Sequence, residues 1–225
     1  MPTVTAIEKQ KRKPRADIYL DGIAVLNLRL DVITMAHLAV GDHLDETRRN
    51  HLEAEDQRLG ALEAALRLLS LGPRTERDLR ERLERRRGYR PEAVDAAVSR
   101  MRELGYINDA AYAKLYVEIR QASPRSKRAL TFELGRKGVH RDHTDVALED
   151  YDDVQAAYAA AQRKLRSLAG ADRVTFERRL GNFLASRGFG FGVARTTIQR
   201  CWRERSEDDG EGDGDLDETP GSSFP

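Results

Sequence analysis

The feature that most constrains the fold is a pattern that recurs three times: a basic residue, two leucines four apart, a glycine and an apolar residue. The copies are RDLRERLERRRGY (77–89), RALTFELGRKGV (128–139) and RRLGNFLASRGF (178–189). The last two align without a gap, and the first aligns once one extra residue among Arg85–Arg87 is allowed. Leucines four apart share a helix face, and a glycine one turn later commonly ends a helix in the left-handed conformation. Each copy therefore predicts a helix end, at Gly88, Gly138 and Gly188.

Another helix precedes each copy and a third follows it, so the sequence predicts tandem three-helix modules. The predicted modules span residues 58–107, 108–151 and 152–205. Repeats of this size bury their apolar faces against their neighbours. We therefore expect a mainly α fold of three modules that form an elongated, curved array, with a small N-terminal β-hairpin extension.

The hairpin is predicted from ADIYLDGIAVLNLRL, in which Asp21-Gly22 separates two apolar runs. Asp-Gly tolerates the positive φ angles of a two-residue type I′ turn. Residues 16–57 should hold this hairpin and a helix over Val32–Val40. Residues 1–15 are predicted to be a basic flexible arm, and residues 206–225 a disordered acidic tail that is too charged to offset its chain entropy.

The charge of the chain is unevenly distributed. Residues 206–225 hold eight acidic residues and no lysine or arginine, which leaves 30 acidic and 39 basic residues, a net +9, in residues 1–205. A basic body favours a polyanionic partner such as nucleic acid. A coding bias is the alternative, since 32 of the 39 basic residues are arginine. We hypothesise that the acidic tail folds back on the basic body and damps non-specific binding.

Basic residues recur beside the glycines and two positions before the first leucine of each copy. Near a helix C-terminus a cation has a simpler explanation, because it complements the helix dipole by about 0.3–1 kcal/mol. For the recurring set as a whole we favour a binding role. The candidate filament- or DNA-binding residues are Arg77, Arg80, Arg128, Arg136, Lys137, Arg178 and Arg187.

Other residues resemble chemical sites without the partners that such sites need. His140 and His143 have no third or fourth metal ligand in view, so we predict no metal site. Cys201 beside Trp202 is better explained as a small buried residue than as a nucleophile. GFGFG (188–192) lacks the preceding strand and the spacing of a dinucleotide fingerprint. We predict no catalytic residues and no cofactor. The single cysteine and the absence of a long apolar run favour a cytoplasmic protein without a membrane segment.

The stretch GYINDAAYA (105–113) joins the first two modules, with Gly105 ending one helix and Asn108 or Asp109 capping the next. We expect Tyr106, Tyr112 and Tyr116 to pack this junction. The stretch resembles the GY-[IL]-[DN]-D-x-x-[FY]-A signature of the RecX family of bacterial regulatory proteins. ELGRKGV and SLGPRTERDLRERL resemble two further stretches of that family, over residues 58–204 in all.

The resemblance implies a function that residue patterns alone do not give. RecX-like proteins modulate the RecA recombinase by binding along the groove of its filament on single-stranded DNA. They suppress its ATPase, strand exchange and coprotease activity in recombination and the SOS response. We therefore expect a monomeric, non-enzymatic negative regulator of RecA. The alternative is a DNA-binding module that competes with RecA for single-stranded DNA.

Overall fold

The computed structural model describes the backbone of residues 1–211 and the side chains of residues 1–207. The chain divides into two compact units, Met1–Asp109 and Ala110–Pro225. The first unit contains an N-terminal sheet and the first module, and the second contains the other two modules. No helix among residues 1–211 is long and apolar enough to cross a bilayer.

The N-terminal sheet has three antiparallel strands in the order β1-β2-β3, at Val4–Lys9, Arg15–Leu20 and Ile23–Arg29. The predicted hairpin is confirmed as β2 and β3, with φ angles of 48° at Asp21 and 84° at Gly22 in the turn.

The prediction of a flexible arm over residues 1–15 is wrong, because β1 pairs with β2 along its length. Val4 is 1% exposed and packs in the same core as Ile18, Leu20 and Leu44. A two-stranded hairpin is marginal in water, and a third strand with one apolar face supplies the missing stability.

The helix predicted over Val32–Val40 is shorter than expected. Helix α1 spans Leu30–Met35 and ends where His37 takes a φ of 48°. The Leu38 N–H then donates to the Ile33 carbonyl at 3.1 Å, which is the bond of a Schellman ending. This ending turns the chain so that Leu38 reaches the core beneath the sheet.

Helix α2 spans Glu46–Ser70 and begins with the Asp45 side chain accepting from the Arg48 N–H at 2.7 Å. The predicted boundary between residues 57 and 58 falls inside this helix. Its N-terminal half buries Leu52 under the sheet and its C-terminal half buries Ala61 and Ala65 in the first module. One helix therefore belongs to both cores.

The structure contains the three predicted three-helix modules. The first consists of α2, α3 (Glu76–Glu81, continued by a π-helical segment at Arg82–Arg86) and α4 (Pro91–Glu103). The second consists of α5 (Asp109–Arg120), α6 (Lys127–Arg136) and α7 (Arg141–Ala147). The third consists of α8 (Asp153–Leu165, followed by a 3₁₀ turn at Arg166–Leu168), α9 (Arg173–Ser186) and α10 (Phe191–Glu211).

The repeated pattern has the structural meaning that the sequence predicts. Its six leucines are fully buried, and Gly88, Gly138 and Gly188 have φ angles of 72°, 86° and 86°. The amides of Val139 and Phe189 donate to carbonyls five residues back, at 3.1 and 3.2 Å. These are again Schellman endings, in which the residue after the glycine folds back against its own helix.

The one-residue insertion in the first copy is accommodated by the π-helical segment at Arg82–Arg86. The Tyr89 N–H therefore donates to the carbonyl of Leu83, six residues back, at 3.2 Å. A π turn holds one more residue than an α turn, so Gly88 still ends the helix one turn after Leu83 despite the insertion.

The last helix, α10, runs to Glu211, six residues into the segment for which disorder is predicted. The boundary predicted at residue 206 therefore lies within a helix. The rest of the predicted acidic tail, residues 212–225, lies outside the described residues.

Candidate binding positions on the modules

Arg77 and Arg128 lie in the first turns of α3 and α6. Each follows a capped N-terminus, where the hydroxyls of Thr75 and Ser126 accept from amides three residues on, at 3.2 and 3.1 Å. The positive end of a helix dipole repels a cation, so neither arginine is explained by helix stability. Both are exposed, and neither side chain pairs with any residue in the described part of the chain.

Arg178 occupies the corresponding repeat position in the third module, two residues before Leu180. It lies in the middle of α9 because this helix begins one turn earlier than its counterparts, at the cap Asp172. Arg178 is exposed and, among residues 1–207, has no ion-pair partner. The repeat position thus presents an unpaired guanidinium in each module.

Arg136 and Lys137 lie at the C-terminal end of α6, where the helix dipole accounts for a cation. The Arg136 guanidinium stands 6.0 Å from the centroid of the exposed Phe132 ring. The Lys137 ammonium stands 5.3 Å from the centroid of the Tyr116 ring. Both residues are exposed, and both have a structural explanation besides binding.

Arg80 and Arg187 are engaged inside the protein. Arg80 donates to Glu76 at 3.0 Å and also pairs with Asp95. Arg187 donates to the Ser123 hydroxyl and to a neighbouring carbonyl, both at 3.0 Å, and its guanidinium lies 4.5 Å from the Phe183 ring centroid. Burial, together with two nearby arginines, lowers the pKa of Arg187. Arg80 links α3 to α4, and Arg187 links the end of α9 to the connection between α5 and α6.

The GYINDAAYA stretch has a role that the sequence did not reveal. Gly105 ends α4 with a φ of 73°, as predicted, and α5 begins at Asp109. The Asp109 carboxylate accepts from the Glu76 N–H, the first amide of α3, at 3.0 Å.

The second and third modules repeat this contact. Asp153, the first residue of α8, accepts from the Lys127 N–H, the first amide of α6, at 2.5 Å. Its neighbour Asp152 caps α8 itself. The signature aspartate therefore neutralises the N-terminus of an earlier helix, and spacing along the chain gave no sign of it.

The tyrosines of this stretch divide between core and surface. Tyr112 and Tyr116 stack with ring centroids 6.2 Å apart and pack against the core of the second module. Tyr106 is 57% exposed, so its predicted packing role is wrong. The next residue, Ile107, is 6% exposed and packs in the core of the first module.

A groove of about 670 Å³ between α9 and α10 was missed by sequence reasoning. Arg173, Arg178 and Arg195 line it together with Phe191, whose side chain is 82% exposed. The i, i+4 spacing of Phe191 and Arg195 was a signal that could have placed both on one helix face.

The sequence singled out two histidines and the single cysteine as residues that resemble parts of chemical sites. The rings of His140 and His143 lie 6.4 Å apart, and in the described part of the chain no three His, Cys, Asp or Glu side chains are grouped to hold a metal ion. Cys201 is fully buried, and burial raises the pKa of its thiol to about 11.

The fold and the repeated arginines define a class of protein. It consists of tandem three-helix modules, and in each module an exposed arginine lies two residues before the first leucine of the repeat. The comparisons with known proteins are specific within this class. Residues 61–101, 108–148 and 150–198 match the first, second and third three-helix domains of RecX, respectively. The chain belongs to the RecX family of regulatory proteins.

Individual relatives agree with this assignment. The chain is 40% identical over 147 residues to the regulatory protein RecX of Streptomyces coelicolor, a match covering 64% of this chain and 78% of that protein. It is 26% identical over 207 residues to the RecX of Clostridium botulinum strain Alaska E43, covering 89% and 97%. A crystal structure of a regulatory protein RecX, 26% identical, superposes with a TM-score of 0.62 over 88% of this chain and all of that one.

Proposed function

We propose that this protein is a non-enzymatic negative regulator of RecA. It binds RecA filaments on single-stranded DNA and inhibits their ATPase, strand exchange and coprotease activity. It thereby modulates recombination and the SOS response, acting as a monomer in the cytoplasm. The observation that carries this proposal is the match of all three modules to the successive RecX domains.

We assign the contact with the filament first to Arg77, Arg128 and Arg178. These three are exposed and unpaired among residues 1–207, and the first two lie where the helix dipole disfavours them. Arg136 and Lys137 remain candidates for the same contact. Arg80 and Arg187 support it by holding their helices in place.

The test is ATP hydrolysis by RecA filaments preassembled on single-stranded DNA and titrated with this protein. Suppression at substoichiometric amounts that persists at higher salt is the expected result for filament recognition. The triple variant Arg77→Glu, Arg128→Glu, Arg178→Glu should need at least about tenfold more protein, a loss of about 1.4 kcal/mol. No suppression by the wild-type protein would reject the function.

A charge-matched control separates the site from overall charge. In the control variant three other exposed cations are changed to glutamate. They lie outside the repeat position and pair with no residue in the described range: Lys114, Arg166 and Arg179. It should inhibit like the wild type. If the two triple variants lose inhibition equally, general electrostatics and not the repeat position governs binding.

The alternative function, competition with RecA for single-stranded DNA, is favoured by the unpaired guanidinium groups themselves. Suppression would then occur only when the protein saturates free DNA and would vanish at higher salt. Each phosphate contact on a single strand contributes about −0.7 to the slope of log K against log salt. The repeat-position triple variant should flatten that slope by up to about 2, and the control should leave it unchanged.

A further inference from the structure

The connection between α5 and α6 is contacted by cations from two other helices. Arg163 of α8 donates to the Gln121 carbonyl at 3.4 Å. Arg187, at the end of α9, donates to the Ser123 hydroxyl and to the Pro124 carbonyl, both at 3.0 Å. The two guanidinium groups therefore converge on one short segment of the chain, and all of these residues belong to the second compact unit.

A third cation, Lys164, packs on the same aromatic ring as Arg187. Its ammonium nitrogen lies 5.9 Å from the centroid of the Phe183 ring. The guanidinium carbon of Arg187 lies 4.5 Å from the same centroid. Cations from α8 and α9 thus lie against one side chain, where the negative face of the ring attracts both. We call Arg163, Lys164 and Arg187 the cation cluster.

The cation cluster has no acidic partner among residues 1–207. Glu133, the acidic residue of α6, is already paired with Arg120 and Arg125, at 2.9 and 3.1 Å. Burial, and then repulsion from Arg125 and Arg163, lowers the pKa of Arg187. Like charges held close together disfavour one another unless an anion lies between them. The cluster therefore has the electrostatics of an anion site.

The two guanidinium groups keep most of their donors for a ligand. Arg187 uses only its Nη1 atom towards the protein, and Arg163 uses only Nη2. The Nε and Nη2 atoms of Arg187 have no partner in the described part of the chain, yet neither is buried. Arg163 is exposed. A guanidinium presents its donors in a rigid fork that matches the oxygens of a phosphate or a carboxylate.

A doubly charged phosphate group fits these donors better than a carboxylate does. A phosphate monoester carries a charge of about −1.5 to −2 near pH 7 and three strong acceptor oxygens. A carboxylate carries a single charge on two oxygens. The cluster brings together cations from two helices, and Ser123 adds an O–H that is free to donate because Arg187 binds its oxygen.

We propose that the cation cluster and the Ser123 hydroxyl bind a doubly charged phosphate group at the α5–α6 connection. The group is free phosphate or the terminal phosphate of a nucleotide or strand, and both sources share this chemistry. Bound phosphate neutralises cations that otherwise repel one another, and it fastens α8 and α9 to the connection. Phosphate binding here does not depend on the proposed regulation of RecA.

The test is labelling of the full-length protein with the arginine reagent phenylglyoxal at pH 8, with each arginine followed by mass spectrometry. Inorganic phosphate replaces chloride at constant ionic strength. Because protection equals 1 + [L]/Kd, a site with a Kd of about 5 mM should label about threefold more slowly in about 10 mM phosphate. We expect this protection at Arg163 and Arg187.

Arg166 and Arg179 are the internal controls for this labelling. Arg166 lies in the turn after α8 and Arg179 lies in α9, and both are exposed without a partner in the described range. Phosphate should leave their labelling rates unchanged. Equal protection at the cluster and at the controls, or no protection anywhere, would overturn the site.

A pair of variants separates the cluster from its surroundings without removing a labelled cluster arginine. Lys164→Gln should reduce the protection of Arg163 and Arg187 by at least half, whereas Arg166→Gln should leave it as in the wild type. Thermal melts followed by circular dichroism confirm that both variants are folded. Full protection in the Lys164→Gln variant would remove this lysine from the site, and with it the three-cation basis for binding a doubly charged group.

The two sources of phosphate are distinguished with a short single strand of DNA that carries either a 5′-phosphate or a 5′-hydroxyl. Protection by the 5′-phosphate strand alone supports the site and assigns it to a strand end. Protection by inorganic phosphate and by neither strand supports the site and assigns it to free phosphate. Equal protection by both strands would overturn the requirement for a doubly charged group. The assay contains no RecA, so its failure is separate from failure of filament inhibition.

Discussion

Replacing Arg128 by glutamate should weaken binding while it stabilises the protein. The residue lies in the first turn of α6, which contains no acidic residue. Removing a cation and adding an anion there each contribute about 0.3–1 kcal/mol, so the free energy of unfolding should rise by up to about 2 kcal/mol. Asp153 already presents a carboxylate to the first amide of α6, which places the expected gain near 1 kcal/mol.

The same substitution at the other end of α6 provides the matched control. Arg136 lies in the last turn, where a cation is favoured, so Arg136→Glu should lower the free energy of unfolding by about 0.6–2 kcal/mol. Because a kilocalorie corresponds to roughly 2–4 °C in a chain of this size, the two variants should separate by several degrees in melting temperature.

The assays are helical circular dichroism on heating and the RecA filament ATPase titration, made with the full-length variants. Arg128→Glu should melt above the wild type and inhibit more weakly, whereas Arg136→Glu should melt below it. A lower melting temperature for Arg128→Glu would refute the dipole argument. Unchanged inhibition with the expected melting temperature would show that the first-turn cation has no role in binding.

Three further predictions concern the folded state itself. Gly188→Ala should lower the free energy of unfolding measured in urea by roughly 1–3 kcal/mol, because a φ of 86° is strained for alanine and its methyl would lie 2.8 Å from the Ser126 hydroxyl. Gly190→Ala is the control: it has open space around it, and its free energy of unfolding should stay within about 1 kcal/mol of wild type. Cys201 should react with Ellman's reagent at pH 8 only after unfolding, since its thiol pKa is about 11; fast labelling of the native protein would contradict its burial. Burial alone would raise the pKa of Glu76, but hydrogen bonds from two arginines outweigh it and hold the pKa below its ordinary value of 4.5. The stability that Glu76 supplies is therefore present above pH 4.5 and lost as the pH falls through the lowered pKa. In Glu76→Gln, the free energy of unfolding should fall less steeply as the pH is lowered through this range.

Local signals along the chain were enough to predict much of this fold. The helix endings at Gly88, Gly138 and Gly188 depend on a left-handed residue and two leucines on the preceding turns, all within a dozen positions. The hairpin turn at Asp21-Gly22 is equally local. Such features are recognisable because neighbouring residues alone decide the backbone conformation.

The errors arose where contacts between segments far apart in the sequence decide the local structure. Residues 1–15 are basic and polar, yet Val4 finds a core made by residues up to 48 positions away. α2 continues through residue 58 because it serves two cores that periodicity treats separately. The candidate arginines were chosen by repeat position, which could not show that Arg80 and Arg187 are engaged with neighbouring side chains and carbonyls.

The sequence by itself determined the three helix endings, the three modules and the resemblance to a family, because these depend on residues close together along the chain. Only the tertiary structure decided which cations are unpaired, that Asp109 and Asp153 neutralise the N-termini of earlier helices, and that α9 and α10 enclose a cationic groove. The physical reason is that charge pairing and burial depend on distances in space, which are set after every helix has packed.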